Sequence, residues 1–347
     1  MIGRRLAAVV AAAVMAALTA GCGNSTQDDD RARTVGFVVA AQKHNFTQEM
    51  SLGFRSGVAA VPGVTALVDG PPITDGPRQA TIFEDVATRA RGGVSLFTLH
   101  PELLARPMSR VGKSGVPLVA VDNAPPPGPQ VPLFIGNDNH AMGAALADGI
   151  IERLPPDAQG TVIIGSPVPG VPVLDNRAEG MRERFAQRLP LVKVRGPFDT
   201  MLDPTANLAA WRGLVRANPD ALAFMATGDI DSYNLATIRR ETGGPWLAAG
   251  FDLDPRSLAA VKAGDLMLMS PEHYLKGALA GRLQAENAMG TRELPQGWLR
   301  TDGLLVTVAN VDEITRRQQS ETNRQQWFQP RVENILSDLD SHLHPLA

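Results

Sequence analysis

VGFVVAAQKHNFTQEMSLGFRSGV, residues 35–58, contains a strand, a polar turn and the body of a helix in direct succession. Residues 35–41 form an unbroken apolar run rich in Val, the composition of a strand buried on both faces. Gln42-Lys43-His44-Asn45 interrupts it, and residues 48–61 then read as an amphipathic helix. Moving outward, the same unit recurs. Further strands are expected at 64–68, 94–99, 116–121, 133–136, 161–165, 191–194, 221–226, 246–250 and 266–269. Helices are expected at 78–91, 102–113, 140–154, 177–188, 205–217, 232–241, 255–263 and 272–289. Regular strand and helix alternation argues for parallel sheets, and so many strands divide into two. The expected fold class is α/β, with two doubly wound parallel-sheet domains.

Breaks in the alternation locate the domain crossings. Residues 124–132, APPPGPQVP, are too rich in proline for either element and form a stiff loop. Asn137-Asp138-Asn139 follows shortly and precedes an Ala- and Gly-rich helix, which places a first crossing there. Residues 291–301, with Pro295 and Trp298, form an irregular passage that is a candidate for another. Past Val311 the chain is polar and helix-prone. Trp327, Phe328, Val332, Ile335, Leu336, Leu339 and Leu343 make one apolar stripe there, expected to dock on its own domain.

The N-terminus assigns a compartment. Arg4 and Arg5 precede an apolar run over residues 6–18, and LTAGC (18–22) ends in the only cysteine. This is the pattern of an export signal, and the apolar run is shorter than the ~20 residues a membrane span requires. Its end resembles the lipobox of bacterial lipoproteins, with Thr19 where Leu is usual and Leu18 one place earlier. Cys22 would then be acylated, anchoring an extracytoplasmic domain to the outer face of the cytoplasmic membrane. Residues 23–33, polar and acidic, read as a solvated tether.

About 325 residues follow the signal, more than one core usually serves. A net charge of −3 gives nucleic acid no electrostatic footing. With one cysteine no intrachain disulfide can form.

In open parallel sheets, ligands bind beyond the carboxyl ends of the strands. Residues there are Gln42 to Phe46, His100, Asp122-Asn123, Asp175-Asn176-Arg177, Gly228-Asp229 and Asp252. Asp229 reads best as a helix cap, and Trp211 and Trp246 as core. A Gly-x-Ser-x-Gly elbow, a phosphate-binding loop and a His-x-x-x-His pair are all missing, and no cysteine is available as nucleophile, so an enzyme is not expected. No cofactor is expected either. Asp229, Asp231, Asp252 and Asp254 lack the dense loop spacing of a calcium site, and no metal site is assigned.

Seven segments carry a resemblance, in order and with similar spacing: residues 35–58, VPLVAVDN (116–123), FIGNDNHAMGAALADGI (134–150), NRAEGMRERFA (176–186), residues 218–240, LAAGFDLDP (247–255) and VTVANVD (306–312). Together they resemble the ribose/galactose class of periplasmic sugar-binding proteins over residues 34–312. The resemblance implies two lobes joined by a hinge of three crossings, with a sugar held in the cleft between them. It suggests an N-terminal lobe of 34–137 plus 271–304, a C-terminal lobe of 138–270 plus 305–320, and a helical extension over 321–347.

By the same resemblance, Phe46 matches an aromatic that stacks on a sugar face, and Asp122 and Asp252 match aspartates that accept from hydroxyls, one per lobe. Arg177 matches an arginine at a helix start, the structural member of a pair. Asn123 stands where an arginine is usual, Asp175 where a second ligand-contacting arginine would fall, and Leu202 or Met201 where a second stacking aromatic is usual. Ser270-Pro271-Glu272-His273-Tyr274 replaces the usual Asp-Gln pair. Lys43 at the rim and Glu272 complete the expected ligand-binding set of Phe46, Asp122, Asn123, Asp175, Arg177 and Asp252. Two arginines lost and an acid gained imply a pocket more acidic than its relatives', able even to take a cationic solute.

The function implied is capture of a small polyhydroxylated molecule (sugar, sugar alcohol or cyclitol) for an ABC permease. The alternative is a sensor that passes its liganded form, a furanose signal molecule included, to a membrane partner. A sugar-responsive transcription regulator would need a basic helix-turn-helix where the export signal stands.

Overall fold

The computed structural model describes residues 28–346; the export segment, Cys22 and residues 23–27 of the expected tether lie outside them, and residues 28–32 of that stretch form a short helix rather than an irregular leash. Among the described residues no helix is long and apolar enough to cross a membrane.

Two sheets organise the chain. The first has the order β13-β11-β5-β4-β3-β1-β2, with β1 at Thr34–Val38, β2 at Thr65–Asp69, β3 at Gly93–Leu96, β4 at Leu118–Val121, β5 at Leu133–Asn137, β11 at Gly297–Thr301 and β13 at Leu343–His344. The second has the order β12-β10-β9-β8-β6-β7, with β6 at Gly160–Ser166, β7 at Val192–Asp199, β8 at Ala223–Ala226, β9 at Leu247–Phe251, β10 at Met267–Ser270 and β12 at Leu304–Val306. Only β12 and β13 pair antiparallel. Central strands such as β3, β4 and β8 are buried at every position, which is why they read as continuous apolar runs without alternation.

Both sheets share one winding, β2-β1-β3-β4-β5 and β7-β6-β8-β9-β10. The order reverses between β1 and β3 in the first and between β6 and β8 in the second, and loops diverge at such points to leave a crevice. The chain passes from the first sheet to the second between β5 and helix α4 (Asn139–Ile151), and again between β11 and β12. It returns between β10 and helix α9 (His273–Ala288), and finally through residues 318–321, between α10 (Val311–Gln318) and α11 (Glu321–Ser337). The last passage was not expected, and the third lies just beyond the irregular passage 291–301, half of which is β11.

Helix starts follow local chemistry. Asp75, Asp138 and Asp203 accept from backbone N–H groups two or three residues on, capping α2 (Gly76–Arg89), α4 and α6 (Pro204–Ala217). Two helix pairs approach so closely that only glycine fits. A Cβ on Gly53 or Gly57 of α1 (Asn45–Ala59) would overlap backbone carbonyls of α9, and one on Gly277 or Gly281 of α9 would overlap those of α1. Gly143 of α4 and Gly180 of α5 (Pro172–Arg188) make the same reciprocal contact. Backbone laid on backbone leaves little play, so α9 is fixed relative to the β1–α1 turn, and α5 relative to the first crossing.

Residues 321–346 are no appendage. Phe328, Val332, Ile335 and Leu336 are buried in the core of the first sheet with Tyr274, Leu279 and Leu299, and β13 extends that sheet. Tyr274 and Phe328 stack with ring centroids 5.0 Å apart.

Candidate functional site

Asp122 follows β4 and Asp252 follows β9, the corresponding strands of the two sheets. Each makes the same turn. Asp122 has φ 68° and donates its N–H to Ile135 on the next strand at 2.8 Å; Asp252 has φ 72° and donates to Met269 at 3.0 Å. Left-handed backbone is uncommon outside glycine, and Asp tolerates it better than most because its short side chain satisfies nearby groups. Both carboxylates are about 95% buried and border a single cleft of ≈ 570 Å³, its open mouth included.

His273, the first residue of α9, stands between them. Its Nε2 lies 2.7 Å from Asp252 Oδ1 and its Nδ1 3.9 Å from Asp122 Oδ1. A carboxylate can only accept, so the Nε2 position carries the proton. One turn further along α9, Lys276 is wholly buried, donating to Asp122 and, at 2.7 Å, to Asn137 Oδ1. Burial would push the Asp122 carboxyl up, but the Lys276, His273 and Arg177 charges override it and bring its pKa down to about 2. Burial pulls the Lys276 pKa downward, and Asp122 opposes that pull. The two shifts point opposite ways for the pair. We take it as ionised, because ammonium and carboxylate are in direct contact and Asn137 solvates the same ammonium.

Arg177 crosses the floor of the cleft. Its Nε donates to Asn139 Oδ1 at 3.0 Å and its Nη1 to the Thr227 carbonyl at 2.8 Å, while the guanidinium lies 4.1 Å from the Phe251 ring centroid. It ties the first crossing to the end of β8. Asn123 donates to the Thr98 carbonyl at 2.7 Å. Phe46 stacks on His44 with centroids 5.5 Å apart, meets Phe97 edge-on at 5.8 Å, and lies 5.5 Å from the His273 ring. Asp229, the first residue of α7 (Asp229–Thr242), borders the cleft as well. Burial, then the charges of Asp252 and Asp254, push its carboxyl well above the usual range.

Five of the eight residues named from sequence therefore border one cleft: Phe46, Asp122, Asn123, Arg177 and Asp252. Three do not. Asp175 sits two positions before Arg177 on α5, about 200° round the helix, and accepts from the Gly170 N–H instead. Lys43 is exposed outside the cleft. Glu272, with φ 54°, turns back behind the β10–α9 crossing, where it accepts from Ser270 at 2.6 Å, Arg317 at 2.9 Å and Arg331 at 2.6 Å. At the site of the second stacking aromatic, Leu202 borders the cleft and Met201 is exposed.

The expected acidic pocket is corrected accordingly. Asp175 is absent from it, Lys276 and Arg177 bring positive charge to Asp122 and Asp252, and His273 donates to Asp252. Nor do the four clustered aspartates converge. Asp231 accepts from Thr200, Asn207 and Trp211 in the core, and Asp254 pairs with Arg256 at 2.8 Å. His273 and Lys276 were missed as site residues, although a lysine among Tyr274, Leu275, Gly277 and Ala278 at a helix start is a charge on a buried face and signals a buried partner.

Comparison with known proteins agrees with this architecture. The description "Periplasmic binding protein domain" matches residues 35–291. The D-allose-binding periplasmic protein of Escherichia coli K12 is 26% identical over 239 residues, 66% of this chain and 76% of that protein. An ABC transporter solute-binding protein from Burkholderia graminis, in complex with D-arabinose, superposes with a TM-score of 0.73 at 23% identity, covering 80% of this chain and 96% of that one. Another from Agrobacterium vitis, with bound D-fucose, superposes with a TM-score of 0.73 at 18% identity over 82% and 98%. These relatives are solute-binding proteins, not enzymes. The chain belongs to the periplasmic binding protein domain family, as a two-lobed, type I member.

Proposed function

We propose that this protein captures a small sugar or sugar-like polyol between its lobes outside the cytoplasm and delivers it to an ABC importer, tethered to the membrane through acylated Cys22. The observation that carries the reading is the pairing of Asp122 and Asp252, equivalent residues of the two sheets, across one cleft beside the aromatic Phe46. Carboxylates accept from adjacent hydroxyls through charge-assisted bonds, and an aromatic face suits the C–H face of a sugar ring. A ligand that touches both lobes stabilises the closed arrangement by its differential contacts. The sugars named for the relatives above support the ligand class, and the export pattern supports the compartment.

The test is a thermal-shift screen over aldopentoses, aldohexoses, sugar alcohols and cyclitols, followed by calorimetry. A ligand at 100 times its Kd adds about 2.7 kcal/mol of stability. Asp252→Asn keeps the shape of the site but weakens acceptance, and an affinity loss of roughly 10- to 100-fold is expected. A panel without a single binder, or an unchanged affinity in Asp252→Asn, would defeat the proposal. Cys22→Ser should move the protein from the membrane to the soluble fraction, and continued membrane retention would rule out the lipid anchor.

A further inference from the structure

Among the described residues, buried polar atoms without a partner occur in several places, and three of them belong to residues that border the cleft: Asn123 Oδ1, Asp229 Oδ1 and His273 Nδ1. Buried polar groups are usually paired, and at these three a ligand in the cleft is the available partner. Several of the other polar groups there already have partners: Asp122 has Lys276, Asp252 has His273, and Arg177 has Asn139 and Thr227. Hydrogen-bonding capacity left for a ligand therefore lies in the unpaired trio, the spare lone pairs of the two aspartates and the Nη2 of Arg177, which makes no hydrogen bond among the described residues.

The rest of the wall has a different character. Val171, Val173 and Leu174 are buried and pack on one another, with Leu99 and Val168 against them, as a continuous apolar patch at the lip of the cleft. Leu202 and Ile230 border the same space. A hydroxyl set against that patch loses its water and meets no donor or acceptor in return.

Resting on the sugar-binding reading above, we infer that the preferred ligand is a deoxygenated sugar, bearing an exocyclic methyl against the Val171 patch where a common hexose bears a hydroxymethyl group. Its remaining hydroxyls lie toward Asn123, Asp229, His273 and the two aspartates. Selectivity of this kind is bounded, because an apolar pocket rejects an added hydroxyl by about a hundredfold at most.

Calorimetric titration of the exported protein with matched probes tests this: D-galactose against D-fucose, D-glucose against 6-deoxy-D-glucose, and D-allose against 6-deoxy-D-allose. At least one methyl-bearing probe should bind tenfold or more tighter than its hydroxylated parent, about 1.4 kcal/mol. Val171→Thr, which replaces one methyl by a hydroxyl at nearly constant volume, should shrink that preference threefold or more. Parents that bind as tightly as every methyl-bearing counterpart would overturn this inference and leave the sugar reading intact. A preference unchanged in Val171→Thr would overturn the assignment to the patch; failure of every hexose probe while a pentose or polyol of the wider panel binds would overturn this inference alone, and failure of both sets would remove both readings.

Discussion

Replacing Lys276 by methionine tests the charge arrangement at the heart of the cleft. Methionine has nearly the same length and volume, so the substitution opens little cavity. It leaves Asp122, 4% exposed, without its contacting cation, and it takes from Asn137 Oδ1 the ammonium 2.7 Å away. In the parent protein the Asp122 pKa is about 2, against an ordinary value of 3.8. A depressed carboxyl stabilises the fold above its unfolded pKa, and that contribution, about 2 kcal/mol, is lost as pH falls from 3.8 toward 2. In Lys276→Met the sign reverses. A buried carboxylate without its partner is disfavoured while charged, and removing one member of a buried pair costs about 3–5 kcal/mol. Protonation relieves that cost, so the stability gap between parent and variant should be largest near neutral pH and shrink to about 1–2 kcal/mol near pH 4, the residue being the lost Asn137 bond. Urea unfolding followed by tryptophan fluorescence at pH 7.5 and pH 4 measures both gaps. Adding Asp122→Asn to the variant removes the stranded charge, and the double substitution should be more stable than Lys276→Met alone at pH 7.5. Equal gaps at both pH values, or no recovery in the double variant, would refute the argument.

Asp231 gives an opposite pH signature. Burial raises its pKa from 3.8 to about 6, against the pull of the Thr200, Asn207 and Trp211 donors. A raised carboxyl contributes stability that is full below pH 3.8 and lost as pH climbs through 6, about 3 kcal/mol in all. Asp231→Asn keeps an acceptor oxygen for the three donors and cannot titrate, so its stability profile between pH 4 and 7 should be flatter; parallel profiles would contradict the assignment. Glu272→Gln should destabilise the protein by about 3–5 kcal/mol, because it strands Arg317, 3% exposed between Trp327 and Phe328, yet change sugar affinity by less than about threefold. A large affinity loss at unchanged stability would return Glu272 to the binding set.

What could be read from the chain follows from what each feature depends on. Most of the ten strands within the doubly wound units are apolar runs followed by helices, and those are local patterns; β7, with Lys193 and Arg195, and β4, followed by the proline-rich loop, are the exceptions. β11, β12 and β13 are not local in this sense. Gly297–Thr301 becomes a strand because β5 offers it an edge, and Leu343–His344 because β11 does. Phe46, Asp122, Asn123 and Asp252 are legible in the sequence because the end of a parallel strand is a position in the chain as well as in space, whereas Arg177, the sixth residue of α5, is legible through the resemblance. Asp175 is named because it falls where the resemblance puts a ligand-contacting arginine, and helical geometry turns it away from Arg177 two positions on. Glu272 is named because Ser270–Tyr274 stands where the resemblance has an Asp-Gln pair, and its left-handed backbone turns it to the far side, where Arg317 and Arg331 meet it.

His273 and Lys276, the site residues not named from the sequence, both lie on α9, a helix the sequence does predict, and they set the electrostatics of the cleft. Two lobes of the same winding present equivalent aspartates to a shared gap, and two buried carboxylates facing each other would repel. Ion pairing must come from an element that belongs to neither turn. α9 begins at a crossing between the lobes and is locked against α1 by backbone contacts at Gly53, Gly57, Gly277 and Gly281. His273 and Lys276 therefore arrive at Asp252 and Asp122 at fixed positions, the lysine from 154 residues away in the chain. Because the same helix supplies both groups, the charge balance of the cleft is tied to the packing of α9, and a substitution at its glycines should alter binding as well as stability.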